Sequence, residues 1–293
     1  MLRIIQLIMV FSLWIPVLQA LPVIKERIVL DVRIIDGLII TEASVDGKWG
    51  NFIVDSGAPG LVLNATTSTE NPANCASVNE VFACSEMRVE EFKWNHIRRI
   101  GINALLADLS EIESALGFEI KGLIGFDIFK KEKLFINFSR QEIVFLPKKP
   151  TYAESTFKEF ANFVTSFTIE GSIPVIEYQL NGKKIRLGID SGAKSNVLDK
   201  SIASRQTPDM IMSTEPIELA GVNASVTMSE LITLYNEDAP NPFVLKNKFV
   251  VADLSHLRDY GYQIDGLVGP EFFKNCLLLF DFQEMKIYAG FTN

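Results

Sequence analysis

The tetrapeptide Asp-Ser-Gly-Ala stands twice in this chain, at Asp55-Ser56-Gly57-Ala58 and at Asp190-Ser191-Gly192-Ala193. Each copy closes an apolar, strand-like run (residues 51–54 and 186–189). Each is followed at a distance by a glycine-flanked block, Gly122-Leu123-Ile124-Gly125 and Gly266-Leu267-Val268-Gly269. The correspondence runs along most of the chain. An offset of 135 aligns Asp46-Gly47-Lys48 with Asn181-Gly182-Lys183, and Val62-Leu63-Asn64 with Val197-Leu198-Asp199. An offset of 145 aligns Ala107-Asp108-Leu109-Ser110 with Ala252-Asp253-Leu254-Ser255. Both copies end alike, in Leu134-Phe135-Ile136-Asn137-Phe138 and Leu278-Leu279-Phe280-Asp281-Phe282. Chance likeness between apolar strands would not preserve that order. A period this long, with two copies, is not a solenoid. It reads as an internal duplication whose halves face each other across a pseudo-two-fold axis.

Each copy reads mostly as β, with short runs of Val, Ile and Phe separated by turn residues. Asp46-Gly47 and Asn181-Gly182 are hairpin turns, because a type I′ turn needs positive φ at both central positions. The strand that leads to each Asp is then the second arm of a hairpin. A short helix is expected after Gly125 and after Gly269, then a closing strand pair turning at residues 139–142 and 283–286. The prolines of Pro147-Lys148-Lys149-Pro150 cannot continue a ladder and mark the connection, with a helical turn or two at residues 154–163. The expected fold is all-β and bilobal, two β-barrel-like halves with a few short helices. The halves are placed at residues 28–148 and 164–293, with a linker at 149–163.

At 48% apolar and 22% charged residues the composition is that of a folded globular protein. Residues 1–20 read as a secretory signal peptide: Arg3, an apolar stretch, then Leu18-Gln19-Ala20 as a cleavage end. The alternative is an uncleaved anchor, but Pro16 interrupts the run and it is short for a span. No other stretch is apolar for long enough. The expectation is an exported chain with no stable membrane span after cleavage. A net charge of −8 argues against nucleic acid as a partner.

Cys75 and Cys84 are candidates to pair in an oxidising compartment, and Cys276 reads as inert core. No C-x-x-C pair, phosphate loop, zinc motif or Ser-His-Asp set is present, so neither metal nor cofactor is expected. The two histidines, His96 and His256, lie far apart in sequence and read as surface or loop residues. Asn-x-Ser/Thr sequons fall at Asn64, Asn137 and Asn223, the second in a strand expected to be buried. The 21 phenylalanines read as core and cleft lining.

Twin halves bring Asp55 and Asp190 face to face. Two carboxyls about 3 Å apart cannot both ionise and hold one proton between them. The charged one takes a proton from water and the protonated one donates to a carbonyl oxygen, which is acid–base catalysis without a covalent intermediate. Ser56 and Ser191 are expected to tie the two turns together. Gly57 and Gly192 let backbone N–H groups approach the carboxylates. Ala58 and Ala193 offer no hydroxyl to the ionised pair, which implies a less acidic optimum than Ser or Thr would give. A strand carrying Gly122 and Gly125, or Gly266 and Gly269, is expected to cross beneath each Asp turn. The repeated Asp-Leu-Ser (Asp108 and Asp253) reads as turn or cap chemistry.

The doubled Asp-Ser-Gly-Ala, each with its apolar-apolar-Gly block, resembles the aspartic peptidases of the retropepsin and pepsin type. The resemblance covers roughly residues 30–146 and 165–291, and Gly125-Phe126-Asp127-Ile128-Phe129 is similar to the retropepsin Gly-Arg-Asp/Asn element. It implies peptide-bond hydrolysis of a peptide or protein substrate in a cleft between the halves, with Asp55 and Asp190 as the catalytic pair. A duplicated chain completes its site as a monomer. The chain departs from the pattern where an acidic residue usually follows the motif and pairs with a later Arg. Pro59 and Lys194 stand at the first position, Phe126 and Pro270 at the second. A flap is sought at Leu219-Ala220-Gly221-Val222-Asn223 in the second half and within residues 75–92 in the first. Two other classes stay open: a peptide-binding protein that does not cut, and a glycosidase, whose carboxyls would need to stand about 5–9 Å apart.

Overall fold

The chain, a computed structural model, is described over residues 28–65, 73–76, 81–220, 226–237 and 246–291. The expected signal peptide, the Asn223 sequon and Gly221 to Asn223 of the second flap candidate lie outside these. Two short strands, β1 (Ile28–Leu30) and β2 (Val32–Ile35), lead in. The Asp46-Gly47 turn then joins β3 (Leu38–Val45) to β4 (Lys48–Asp55), with φ of 49° and 79° as a type I′ turn demands. β5 (Leu61–Asn64), β6 (Ala73–Ala76), β7 (Val81–Trp94) and β8 (Ile97–Ala107) follow. Next come α1 (Ser110–Leu116), β9 (Gly122–Gly125), α2 (Phe126–Phe129), β10 (Lys133–Asn137) and β11 (Glu142–Leu146).

After the connecting helix α3 (Tyr152–Phe160) the sequence of elements recurs. It comprises β12 (Phe163–Glu170), β13 (Ile173–Leu180), β14 (Lys183–Ile189), β15 (Val197–Asp199), α4 (Lys200–Ala203) and β16 (Ile211–Ala220). It continues with β17 (Val226–Tyr235), β18 (Lys246–Ala252), α5 (Ser255–Asp259), β19 (Gly266–Val268), α6 (Pro270–Phe273), β20 (Cys276–Asp281) and β21 (Lys286–Phe291). The strand order β3-β4-β9-β5-β8-β7-β6 of the first half matches β13-β14-β19-β15-β18-β17-β16 of the second.

The halves differ in closure. β7 has 14 residues and its far end returns to β3, with Phe92 opposite Val45, so six strands of the first half form a closed barrel. β17, with 10 residues, stops short of β13. There the buried Asn236 substitutes for strand pairing: its Oδ1 accepts from Asn181 N (3.2 Å) and its Nδ2 donates to Gln179 O (2.8 Å). The second half therefore stays part of a larger sheet.

The glycine block strand runs beside the Asp strand, not beneath it. β9 lies between β4, to which it is parallel with Gly125 opposite Asp55, and β5, to which it is antiparallel; β19 does the same between β14 and β15. A Cβ at Gly122 would stand 2.0 Å from Val62 O, and one at Gly125 2.3 Å from Gly60 O. No side chain larger than hydrogen fits this approach.

The halves share an antiparallel six-stranded sheet, β1-β11-β10-β20-β21-β12, centred on β10 and β20 with Phe135 opposite Leu279. One face packs into the main core. On the other, Phe135, Val144, Leu277 and Leu279 are covered by α3, whose Phe157 meets Phe135 edge to face at 5.3 Å. Thr151 begins α3 by accepting from Glu154 N (3.1 Å), an ordinary N-cap. The sheet is mostly apolar, yet Lys133 of β10 and Asp281 of β20 are buried in it and form an ion cluster with the buried Glu154 and with Lys158, both of α3.

Candidate functional site

β4 ends on Asp55 and β14 one residue before Asp190. Each strand then turns sharply, with Ala58 N and Ala193 N reaching back to Asp55 O (3.4 Å) and Asp190 O (3.2 Å). The serines join the two turns symmetrically. Ser56 N donates to Ser191 Oγ and Ser191 N to Ser56 Oγ, both at 2.9 Å. Ser56 Oγ in turn donates to Ile189 O and Ser191 Oγ to Val54 O, both at 2.8 Å. Each hydroxyl thus accepts once and donates once across the axis. Neither serine is left as a nucleophile, and neither histidine serves them: His96 meets Glu132 (3.2 Å) and His256 lies in α5.

The two carboxyls are hydrogen-bonded to each other. Gly57 and Gly192 make that possible. A Cβ at Gly57 would stand 2.6 Å from Asp190 Cγ, and one at Gly192 2.5 Å from Asp55 Cγ, so each glycine lies against the opposite aspartate. Their amides point inward as well. Asp55 Oδ1 accepts from Gly57 N (2.8 Å) and Ala58 N (3.1 Å), and Asp190 Oδ1 from Gly192 N (2.9 Å).

Burial pushes both aspartates up from the usual carboxylate range, and Asp190 goes well above it. The negative charge of Asp55 adds to the rise at Asp190. At Asp55 the hydrogen bond from Asp190 opposes it, and at each aspartate two turn amides do so too, Gly57 and Ala58 at Asp55 and Gly192 and Ala193 at Asp190. Two carboxyls in contact cannot both be charged, so the pair holds one proton between them. Carboxyls in mutual contact leave no room for a sugar between them, so the glycosidase spacing is absent.

The remaining sequence features sort themselves by contact. The repeated Asp-Leu-Ser segments are anchored by the aligned residues Asn64 and Asp199: Asn64 Oδ1 accepts from Leu109 N (2.9 Å) and Asp199 Oδ2 from Leu254 N (3.0 Å). Asp108 and Asp253 each accept from the serine two residues on, both at 3.0 Å, which is turn chemistry. Asn64 Nδ2 donates to Ile120 O (3.0 Å) and Asn137 is buried, so both sequon side chains are committed inside the fold. Cys75 and Cys84 form a disulfide. Cys276 is buried and burial pushes its thiol up to about 11.

The first flap candidate falls on β6 and β7, and the second on the β16–β17 hairpin, whose tip lies outside the described residues. Where the usual acid–Arg pair is missing, Phe126 and Pro270 are buried. Lys194 reaches across to the other half instead, to Asp36 Oδ2 (2.8 Å). That partner, and the buried cluster about Lys133, were not read from the sequence. Among the described residues no group of three or more His, Cys, Asp or Glu side chains is placed to hold a metal ion.

The fold has relatives among solved structures. The crystal structure of an aspartic proteinase from Irpex lacteus superposes with a TM-score of 0.51 at 11% identity, over 91% of this chain and 98% of that one. The basic 7S globulin of soybean gives 0.47 at 12% identity, and conglutin gamma of lupine seeds 0.49 at 11%. Each of these spans 91% of this chain and 95% of its own. No family model matches the chain, and no curated protein matches it in sequence. Identities this low speak to architecture alone: the chain has a mostly β, bilobal, pepsin-like fold.

Proposed function

We propose that the chain is an aspartic-type endopeptidase, with Asp55 as the general base and Asp190 as the general acid. The observation that carries this reading is the pair of buried carboxyls hydrogen-bonded to each other, which must share one proton. A water held between them loses a proton to Asp55 as its oxygen attacks the peptide carbonyl carbon, while Asp190 gives its proton to the carbonyl oxygen. The tetrahedral diol then collapses: the leaving nitrogen takes the proton from Asp55 as the C–N bond breaks, and one diol hydroxyl gives its proton back to Asp190 as it becomes the carbonyl of the new acid, which restores the pair. Neither step needs a covalent intermediate or a third catalytic side chain. The activity should be bell-shaped in pH, rising as the pair loses its first proton and falling as it loses the second, with both apparent values belonging to the pair.

An exported, monomeric enzyme acting on peptides or proteins belongs to the same reading. The Cys75–Cys84 disulfide supports an oxidising compartment. The test is incubation with a diverse peptide pool across pH, comparing the natural chain with Asp55→Asn and Asp190→Asn. Each substitution is expected to lower cleavage by at least about 10²-fold. Cleavage that persists in both variants overturns the dyad mechanism. No cleavage by the natural chain at any pH leaves a peptide-binding protein as the better reading.

A further inference from the structure

An apolar cavity of about 50 Å³ lies on the core side of the two Asp turns. Its position follows from strand alternation. Val54 and Ser56 flank Asp55 and line the cavity, as Ile189 and Ser191 do about Asp190, whereas neither aspartate lines it. The opposite wall comes from the shared sheet, with Leu134 and Ile136 of β10 and their counterparts Leu278 and Phe280 of β20. Counterparts from the two halves thus meet around one space on the pseudo-two-fold axis.

Water is a poor occupant. The volume exceeds the ~10–15 Å³ that one water needs, but a buried water also needs two to four polar partners. The lining side chains with polar atoms are Ser56, Ser191 and Trp94. Both hydroxyls already donate and accept across the axis, and the indole N–H donates to Thr41 Oγ1 (3.2 Å). Apolar cavities without free polar groups stay dry and take up small apolar molecules.

We propose that this cavity binds one apolar atom or molecule of about the size of xenon, without hydrogen-bonding groups, at a site separate from the peptide cleft. The occupant touches both halves and the residues on either side of each aspartate, so its binding favours the joined arrangement of the turns. The proposal is independent of whether the chain cuts peptides.

Crystals of the full chain under xenon pressure test it directly. One xenon atom is expected beside Ile136 and Phe280, and xenon pressure is expected to raise the melting temperature. Ile136→Phe places in the first half the ring that its counterpart Phe280 already supplies, and should abolish both effects. If that variant does not fold, Leu278→Phe fills the space from the other half. Asp190→Asn should bind xenon unchanged, which separates this site from the dyad. Ordered water in the cavity, no xenon in the natural chain, xenon retained in a folded filled variant, or xenon lost in Asp190→Asn would each overturn the proposal.

Discussion

Replacing Asp281 by Asn should cost the fold about 3 kcal/mol, and replacing Lys133 by Leu at the same time should restore much of it. Asp281 is fully buried. Its Oδ2 faces Lys158 Nζ at 2.7 Å and Lys133 Nζ at 3.8 Å, and both lysines also meet Glu154 Oε1, at 3.2 and 2.9 Å. The four groups inside the fold balance, two positive and two negative, and the half-exposed Glu284 adds a further carboxylate to Lys158 at 2.9 Å. Removing one member of a buried pair costs about 3–5 kcal/mol, because its partner is left uncompensated. The low end applies to Asp281→Asn, because the amide oxygen can keep the turn. Asp281 Oδ1 accepts from the amides of Gln283 (3.0 Å) and Glu284 (3.1 Å), as its counterpart Asn137 does from Arg140 N (3.2 Å). A loss of about 3 kcal/mol lowers the melting temperature by about 6–12 °C.

Lys133→Leu alone leaves the opposite imbalance and should cost about as much. Together the substitutions reproduce a pair the protein already has, because Asn137 stands opposite Leu277 as Lys133 stands opposite Asp281. They also leave Lys158 paired with Glu154 and with the half-exposed Glu284. The double variant should therefore recover at least about 3 kcal/mol of the roughly 6 that independent losses would give. Urea unfolding of the four proteins at neutral pH measures this, and losses that simply add would refute the reasoning. The pH dependence has a definite sign. Burial would raise Asp281, but the hydrogen bonds from Lys158 and the Glu284 amide, with the charges of both lysines, outweigh it and hold it below the usual carboxylate range. The stability it supplies is complete above that range and is lost as pH falls through the depressed value. The difference between the natural chain and Asp281→Asn should be full at neutral pH and close in strong acid.

Two further outcomes concern the dyad. Gly57→Ala sets a Cβ 2.6 Å from Asp190 Cγ, so the turns must part, and kcat on a cleaved peptide should fall about 10²-fold or more; an unchanged kcat would show that the carboxyls need not touch. Ala58→Ser with Ala193→Ser adds two hydroxyl donors that favour the ionised pair, so the pH optimum should move towards acid, and an optimum that stays put or rises counts against that role for the alanines.

The parts of the fold legible in the sequence are those fixed by local backbone chemistry. Asp46-Gly47 and Asn181-Gly182 demand positive φ and could only be tight hairpin turns, and the residues they orient, Asp55 and Asp190, followed from them. The glycines of β9 and β19 announced a close approach, but not its direction. Whether a strand lies under a turn or beside it depends on pairing with β5 and β15, which no local signal encodes. Closure of the first half was illegible for a related reason, since it rests on how far β7 extends past its turn. Lys133 follows Lys130-Lys131-Glu132, a run that reads as a solvated turn. It is buried because α3 covers it, and the acid that compensates it, Glu154, comes from that same helix.

The dyad marks the limit of what a repeated motif can say. Identical tetrapeptides predict a symmetrical frame, and the serine bonds are symmetrical to within 0.1 Å. A symmetrical frame that presses two acids together cannot keep both charged, so one proton must be retained. Unequal states are then forced on chemically equal residues. Each aspartate takes hydrogens from its own two turn amides, and the negative charge of Asp55 raises Asp190. The proposed hydrolysis by water needs one base and one acid at the same carbonyl. The matching halves supply two of the same group, and contact between them makes one of each.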